Sequence, residues 1–432
     1  MTQAAWAPPA RPHPLTLAEI GAGGAALGLL LIHSQAWVFP LMGERASPDA
    51  GGLIRLLFMP AYLMGAVLLL QSPRDAVKVA LRQPFLLALL LIAGLSALWS
   101  VEPAPTARRV FALYCTTLGG LGLAARFSWR ELSELTAAAF ATLAVVALVV
   151  SLAVPSIGVM HELFPGAWRG VWPEKNALGG NMTLGFVALC AAAALNPARA
   201  RLWTGFALLS LFLVLMSTSK TSLVALLVGF GAFVTVALLR RGPVTRLATV
   251  WLAVIGVAMA AGVALVASDL FFEVLGKDAT LTGRTKIWSA AMRQIELRPW
   301  TGFGYGAVWT EQGTWGPLAW IVKDAGFKPQ HAHNAWIEQW LGLGVFGLAA
   351  FALCWLQTMM LALVAAFRDR GAFLALPFLV VYSLMSLTES VAMTYNDFRW
   401  VLFVAVAAKL AWPGGEGPEA APVRRRGAPS RR

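Results

Sequence analysis

Residues 331–347 read HAHNAWIEQWLGLGVFG, and they lead into an apolar segment centred roughly on residue 354. A helix that crosses the hydrocarbon core of a bilayer needs about 20 mostly apolar residues, and this segment is one of twelve candidates in the chain. The approximate centres of these candidates are residues 28, 62, 92, 117, 143, 187, 210, 230, 257, 354, 381 and 404. The sequence therefore predicts an all-α polytopic integral membrane protein with about twelve transmembrane helices.

The overall composition supports this fold class. The chain has 432 residues, of which 58% are hydrophobic and only 13% charged, whereas soluble proteins carry about 25% charged residues. In a membrane protein a net charge of +13 indicates basic cytoplasmic loops and affinity for anionic lipids, not a nucleic-acid partner. The three cysteines lie in apolar runs without a CxxC pair and are interpreted as small buried side chains.

The distribution of Lys and Arg predicts the orientation of the chain. With both termini in the cytoplasm, 19 of the 34 Lys and Arg residues fall in inner segments and 8 in short outer segments, as the positive-inside rule requires. We expect a disordered cytoplasmic N-terminus over residues 1–16, a single transmembrane catalytic domain over 17–412 and a disordered basic tail over 413–432. A large outer loop covers about residues 268–333.

That loop contains two features of its own. Trp288, Ala291, Met292 and Ile295 are spaced at i, i+3, i+4 and i+7, and the opposite side carries Arg284, Lys286, Arg293 and Gln294. This pattern predicts an amphipathic helix with a basic outer face, suited to the membrane surface. The following TGFGYG, residues 301–306, alternates glycine with aromatic residues. This segment is compatible with a mobile lid, a sugar-stacking strip or a tight packed turn.

Ionisable side chains collect at the outer side of the predicted spans, where they are costly and usually functional. They are Arg55, Arg109, Lys175, Lys220, Arg284, Arg399, His331 and His333. Snorkelling onto lipid phosphates is one explanation. Lys175 and Lys220, however, are embedded in small polar clusters, EKNALGG and STSKTS, which is typical of an anion site.

No metal or nucleotide motif accompanies these cations. The sequence has no DxD, HExxH or P-loop pattern, and no outward acidic cluster with divalent-metal spacing. A reaction on a phosphate-linked substrate would therefore use Arg and Lys to stabilise the departing pyrophosphate, and we expect neither a metal nor another cofactor.

Four sequence elements together resemble the O-antigen ligase and polymerase superfamily. The pattern H-N-x9-G-x-x-G fits His333, Asn334, Gly344 and Gly347. The other three elements are GRTKIW with RPWTGFGYG, EKNALGG, and STSKTS, in which Lys220 stands where the family usually has Arg. The resemblance covers about residues 170–350, whereas the first four spans match only in hydropathy.

The resemblance implies a C-type glycosyltransferase-like fold and a metal-independent inverting transfer of glycan from undecaprenyl pyrophosphate. Chain length, twelve spans and one large outer loop favour a ligase that uses lipid A–core as acceptor, in the bacterial inner membrane with the active site facing the periplasm. His333 would take the acceptor proton as a general base, and Arg284 and Lys220 would hold the pyrophosphate. Further substrate-binding candidates are Lys175, Asn176, Arg109, Arg55, Asn334 and His331.

Several alternatives remain open at this point. Within the same superfamily, the chain could be an O-antigen polymerase or a pilin O-oligosaccharyltransferase. Twelve spans also suit a secondary transporter, although the polar residues lie at one face. A lipid-binding scaffold without catalysis would not need a histidine, and His333 itself could be a structural cap.

Overall fold

The structure is a computed structural model that describes residues 16–43, 51–162, 164–266 and 283–412. The disordered segments predicted before residue 16 and over 413–432 lie outside these ranges, as do residues 268–282 of the predicted long loop.

The described chain is almost entirely helical. The helices are α1 (Leu17–His33), α2 (Val38–Met42), α3 (Gly51–Leu57), α4 (Met59–Gln71), α5 (Pro73–Leu81), α6 (Pro84–Leu95), α7 (Pro103–Arg126), α8 (Trp129–Ala153), α9 (Pro155–Gly158), α10 (Lys175–Leu195), α11 (Ala200–Met216), α12 (Lys220–Leu239), α13 (Pro243–Val266), α14 (Arg284–Leu297), α15 (Pro317–Ala325), α16 (Ala335–Ala366), α17 (Ala372–Thr388) and α18 (Phe398–Ala411). Within the described ranges the β structure amounts to one isolated bridge, between Val159 and Trp168.

The predicted all-α polytopic fold is confirmed. Each of the twelve predicted centres lies within a helix. By length and apolarity, six helices among the described residues can cross a membrane, or seven if α5 and α6, bent by 87°, form one broken span. The number of helices able to cross a membrane is below the predicted twelve partly because α7 carries Arg108 and Arg109 near its start and α18 has only 14 residues. Helix α18 is buried by its neighbours along almost its whole length, so its stability depends on protein packing.

Small residues allow the central helices to approach closely. A Cβ on Gly65 of α4 would lie 3.0 Å from the Cα of Gly119 on α7, and one on Gly120 would lie 2.6 Å from the Val401 carbonyl oxygen of α18. Close backbone contact of this kind is how helices pack in a bilayer, where burial of apolar surface against lipid gives little net gain. Helices α10 and α18 occupy the interior of the bundle.

Helix α16 is broken at Gly344, which has φ 66° and ψ −169°. The break leaves carbonyl groups without helical partners, and the glycine-rich segment 301–306 supplies them: Phe303 N donates to the Leu341 carbonyl at 3.0 Å and Gly304 N to the Gly342 carbonyl at 2.8 Å. Gly302, Gly304 and Gly306 all have positive φ. Of the interpretations left open by the sequence, the structure therefore supports the tight packed turn.

The predicted amphipathic helix forms as α14, and Ala291 and Ile295 are buried as predicted, but the buried face also includes two residues of the predicted outer face. Arg284 and Gln294, assigned to the basic outer face from their spacing, are buried, whereas Trp288 and Met292 are only half-buried. Periodicity places charged residues outward by default. Arg284 is buried because it has a carboxylate partner on another part of the chain.

Candidate active site

Several helices begin or end on one side of the bundle. Helices α10 and α17 run antiparallel. Gly180 near the start of α10 packs against Met385 near the end of α17, and Arg370 just before α17 donates to the Ala194 carbonyl oxygen near the end of α10 at 3.0 Å. The start of α10 therefore lies on the same side as the end of α17. The start of α16, which follows His333, bonds to the end of α17 through Asn334 Nδ2 and the Leu387 carbonyl oxygen at 3.4 Å. We call this side of the molecule the site end.

Three ionisable side chains form a connected group at the site end. His333 Nδ1 lies 3.0 Å from Glu389 Oε2, and Arg284 Nη2 lies 3.0 Å from Glu389 Oε1. Arg284 also donates through Nη1 to the Thr388 carbonyl oxygen. Glu389 thus connects the histidine at the start of α16 to the arginine at the start of α14.

The electrostatics of this group favour an ionised carboxylate. Burial raises the pKa of Glu389, but the hydrogen bond with His333 and the charge of Arg284 outweigh it and bring that pKa down to about 2. At neutral pH the carboxylate can only accept hydrogen bonds, so the Nδ1–H of a neutral His333 donates to it. The lone pair of that ring is then on Nε2, the nitrogen that can accept a proton from a substrate.

His331 lies beside His333, with ring centroids 3.9 Å apart. Its Nδ1 accepts the backbone N–H of His333 at 3.3 Å. Burial and the neighbouring His333 lower the pKa of His331 to about 3, so the His331 ring is neutral at neutral pH. A neutral ring beside His333 avoids like-charge repulsion when His333 takes a proton.

The loop that carries His333 is fixed by two further residues. Asn334 caps α16, because its Oδ1 accepts the backbone N–H groups of Trp336 at 2.9 Å and Ile337 at 3.2 Å. Glu338 accepts from the backbone N–H of Ala332 at 2.6 Å and from Trp309 Nε1 at 2.6 Å. His333, with φ 52°, is therefore held in a left-handed backbone conformation by its neighbours. The capping role falls to Asn334, which argues against a cap function for His333.

The two lysine elements of the sequence come together at the site end. Lys175 Nζ donates to Thr218 Oγ1 at 3.4 Å, and Ser219 Oγ donates to Asn176 Oδ1 at 2.9 Å. Lys175 and Lys220 are close enough for their charges to repel. Lys220 is the first residue of α12 and is exposed. Two cations, several hydroxyls and a helix N-terminus thus converge, an arrangement that favours anions.

Arg109 and Arg55 lie on another part of the site end. Arg109 is buried and donates to the Gly306 carbonyl oxygen and to Thr310 Oγ1, the latter at 2.8 Å, so it holds the glycine turn. Arg55 and Arg109 line a cavity of about 340 Å³. A second cavity, of about 280 Å³, is lined by Arg109 and also by His331.

The predicted site residues therefore fall into three groups. The first contains His333, His331, Arg284 and Asn334, the second Lys175, Asn176 and Lys220, and the third Arg55 and Arg109. The second cavity connects the first group to the third through His331 and Arg109.

Sequence reasoning did not identify Glu389 or Glu338. Both lie next to or within apolar spans, and the rule that intramembrane ionisable residues are functional applies to carboxylates as well as to cations. That rule was the available signal, but nothing in the sequence pairs Glu389 with a histidine 56 residues earlier. Among the described residues, no group of three or more His, Cys, Asp or Glu side chains is placed to hold a metal ion.

Comparison with known proteins agrees with the motifs. Residues 205–352 match the family described as O-Antigen ligase. This match includes Lys220, Arg284 and His333 but ends before Glu389. The chain is also similar to the exopolysaccharide production protein ExoQ of Rhizobium meliloti (strain 1021), with 33% identity over 195 residues. That alignment covers 41% of this chain and 43% of the relative.

Proposed function

Residues 205–352 match the O-antigen ligase family, and from this match we propose that the protein is a metal-independent inverting glycosyltransferase. The donor is a glycan on undecaprenyl pyrophosphate, and the acceptor is lipid A–core. The family match and the similarity to ExoQ support a resemblance of the chain to the glycan-transferring enzymes of the O-antigen ligase and polymerase superfamily.

The observation that carries the proposal is the hydrogen bond between His333 Nδ1 and Glu389. It leaves Nε2 to accept the proton of the acceptor hydroxyl. As that proton moves to Nε2, the hydroxyl oxygen attacks the anomeric carbon, and the bond from this carbon to the pyrophosphate oxygen breaks. The bonding electrons leave with undecaprenyl pyrophosphate, and a single displacement inverts the anomeric configuration. Glu389 stabilises the imidazolium that forms, as a carboxylate does in other base-assisted transfers.

The leaving pyrophosphate requires positive charge that does not depend on proton transfer. We assign this role mainly to Lys175 and Lys220, whose ammonium groups converge with the hydroxyls of residues 217–222. Lysine serves here as a point charge. Arg284 is already bonded to Glu389 and the Thr388 carbonyl. It therefore contributes to phosphate binding through its positive charge alone, and it also holds Glu389 in position.

The test is reconstitution in lipid vesicles with undecaprenyl pyrophosphate-linked glycan and lipid A–core. We expect glycan to appear on lipid A–core at the same rate with and without EDTA. The control is His333→Ala in matched vesicles, which should bind donor without transferring it. A rate lost on chelation and restored by Mg²⁺ or Mn²⁺ would contradict metal independence. Donor crossing the vesicle membrane without glycan transfer would instead indicate a transporter.

A second candidate is glycan polymerisation, favoured by the similarity to the exopolysaccharide production protein ExoQ. A polymerase would use a second lipid-linked glycan as acceptor, so the same vesicles without lipid A–core separate the two functions. Longer glycan on undecaprenyl pyrophosphate would identify a polymerase. Glycan transferred only when lipid A–core is present would identify a ligase.

We place the protein in the bacterial inner membrane, with both termini in the cytoplasm and the site end in the periplasm. Thr314 is an exposed residue at the site end. In a background lacking the three native cysteines, Thr314→Cys should react with an impermeant thiol reagent in cells whose outer membrane alone is permeabilised. Reaction only after the inner membrane is disrupted would reverse the orientation.

A further inference from the structure

Two adjacent cavities lie at the site end, and we call the one lined by a histidine the inner cavity and the other the outer cavity. The inner cavity, about 280 Å³, is lined by His331, and the outer one, about 340 Å³, by Arg55 and Arg108. Arg109 and Thr310 line both cavities, so the two are adjacent. An occupant of the inner cavity lies against His331, whose ring is 3.9 Å from the ring of His333 by centroid.

The inner cavity has the chemistry of a sugar site. Aromatic rings from Tyr305, Trp309 and Tyr395 contribute to its wall, together with the polar side chains of Gln339 and Ser390. Aromatic faces pack against the C–H groups of a sugar ring, and amides and hydroxyls hydrogen-bond to sugar hydroxyls. A mostly apolar wall with a few placed polar groups is the usual form of a small-molecule site.

The outer cavity has a different charge. Arg55, Arg108 and Arg109 contribute three guanidinium groups to its wall, and Glu102 contributes one carboxylate. The net charge of the wall is therefore positive. A guanidinium fork binds phosphate or carboxylate oxygens in pairs, and Arg108, the most exposed of the three arginines, is accessible to a large ligand.

These arginines are separate from the lysine cluster assigned to the pyrophosphate. Neither Lys175 nor Lys220 lines either cavity, and the arginines belong to α3 and α7 whereas the lysines begin α10 and α12. A donor needs one pyrophosphate site. The arginines form a second basic surface, which adjoins a sugar-sized cavity beside the histidines. This surface is therefore suited to bind a second anion.

We propose that the inner cavity holds the acceptor sugar and that the outer, arginine-lined cavity binds an anionic group of the acceptor glycan, a phosphate monoester or a carboxylate. This rests on the proposed transferase function and specifies its acceptor. The enzyme selects acceptors that carry negative charge close to the reacting sugar.

The test compares acceptors that differ only in that charge. The probes are an oligosaccharide glycolipid with a phosphate monoester, the same compound with a carboxylate, and the uncharged parent, each assayed in phosphatidylcholine vesicles with and without phosphatidylglycerol. We expect the wild type to have a lower KM for the two charged acceptors. Arg108→Gln and Arg55→Gln should raise those KM values about 10- to 100-fold, the range expected for loss of a charge-assisted hydrogen bond. The KM for the neutral acceptor and for the donor should not change in Arg108→Gln.

Arg109 is left intact because it also holds the glycine turn, so its substitution would disturb the fold. Arg130→Gln is the matched control, since Arg130 is an exposed arginine at the start of α8 and should retain all KM values. As a measurement independent of turnover, titration calorimetry with the phosphorylated acceptor and no donor should give weaker binding to Arg108→Gln than to the wild type.

Three outcomes would overturn the proposal. Equal KM values for charged and neutral acceptors with unchanged binding in Arg108→Gln would remove the anion site. A raised donor KM in the arginine variants would make the outer cavity part of the pyrophosphate site. If the effect of the variants follows the phosphatidylglycerol content of the vesicles and not the acceptor charge, the arginines bind membrane lipid. Transfer with no dependence on acceptor charge would leave the proposed function standing, whereas no transfer to any acceptor would remove both.

Discussion

Replacing Glu389 by glutamine tests the central contact of the candidate active site. The carboxylate accepts from His333 on one oxygen and from Arg284 on the other, each at 3.0 Å. Glutamine has the same shape but offers one acceptor oxygen and one donor NH₂ group. Either His333 or Arg284 must then face a donor, and the negative charge between them is lost.

The size of the effect follows from the geometry. An imidazolium and a carboxylate 3.0 Å apart attract each other by about 5 kcal/mol at an effective dielectric constant of about 20. The downward shift of the Glu389 pKa from 4.5 to about 2 corresponds to about 3 kcal/mol of net stabilisation of the carboxylate, after the cost of its burial is subtracted from the effect of its partners. Because Arg284 supplies part of that total, we expect Glu389→Gln to reduce the transfer rate about 10- to 1000-fold.

The assay is the initial transfer rate at saturating donor and acceptor, measured from pH 5 to pH 8. Burial of His331 places its pKa near 3, and that of Glu389 is near 2, so neither group changes protonation in this range. Any acidic limb of the wild-type profile therefore belongs to another group. The control is Glu296→Gln, at an exposed carboxylate of α14, which should retain the wild-type rate.

A rate within threefold of the wild type in Glu389→Gln, with an unchanged pH profile, would refute the role of Glu389. Lost donor binding in the same variant would instead assign Glu389 to the phosphate site.

The depressed pKa of Glu389 also affects the stability of the fold. The stabilisation from Glu389 is complete above about pH 4.5, its unfolded value, and is lost as the pH falls toward 2, so thermal stability should fall over that range and less so in Glu389→Gln.

The remaining predictions concern three other positions. His333→Ala should lose about 10²- to 10⁴-fold in transfer rate, the typical contribution of a general base. Near wild-type turnover in His333→Gln would make His333 a positioning group. The single-turnover transfer rate should fall about 30- to 1000-fold in Lys220→Ala and much less in Lys220→Arg. Full activity in Lys220→Ala would indicate that Lys220 contacts membrane lipid. Gly344→Ala should lower the melting temperature in detergent. The backbone conformation of Gly344 costs about 1–3 kcal/mol for other residues, and the Cβ of an alanine there would lie 2.1 Å from the Trp300 carbonyl oxygen. The control is Gly205→Ala, which has open space around it and should leave the melting temperature unchanged.

Much of the fold could be predicted from the sequence because lipid imposes a simple rule. Long apolar runs must be helical, and each of the twelve predicted centres lies in a helix. The number of helices able to span a membrane was harder to predict. Helix α18 is short, carries Arg399 and Lys409, and is surrounded by other helices. A hydropathy pattern does not reveal that a helix is surrounded in this way.

The candidate site could be predicted only in part, for a similar reason. The sequence elements around Lys175 and Lys220 do meet in space, and His333 lies at a helix start. Arg284 was assigned to an exposed face because spacing alone cannot show that a charge has a buried partner. Its partner Glu389 follows α17, 105 residues away, and only the tertiary fold brings the two together.

The break in α16 at Gly344 also determines when the active site assembles during folding. Isolated helical turns form within about a microsecond, whereas contacts between distant residues require slow loop closure. The half-helix after His333 obtains partners for its last carbonyl groups from Phe303 and Gly304, and that turn is itself anchored by Trp99 Nε1 on the Thr301 carbonyl, across 202 residues. The segment carrying His333 therefore reaches its final geometry only after the first and last thirds of the chain have met. In native-state hydrogen exchange it should open as one cooperative unit, at a lower free energy than the buried amides of α10 and α18.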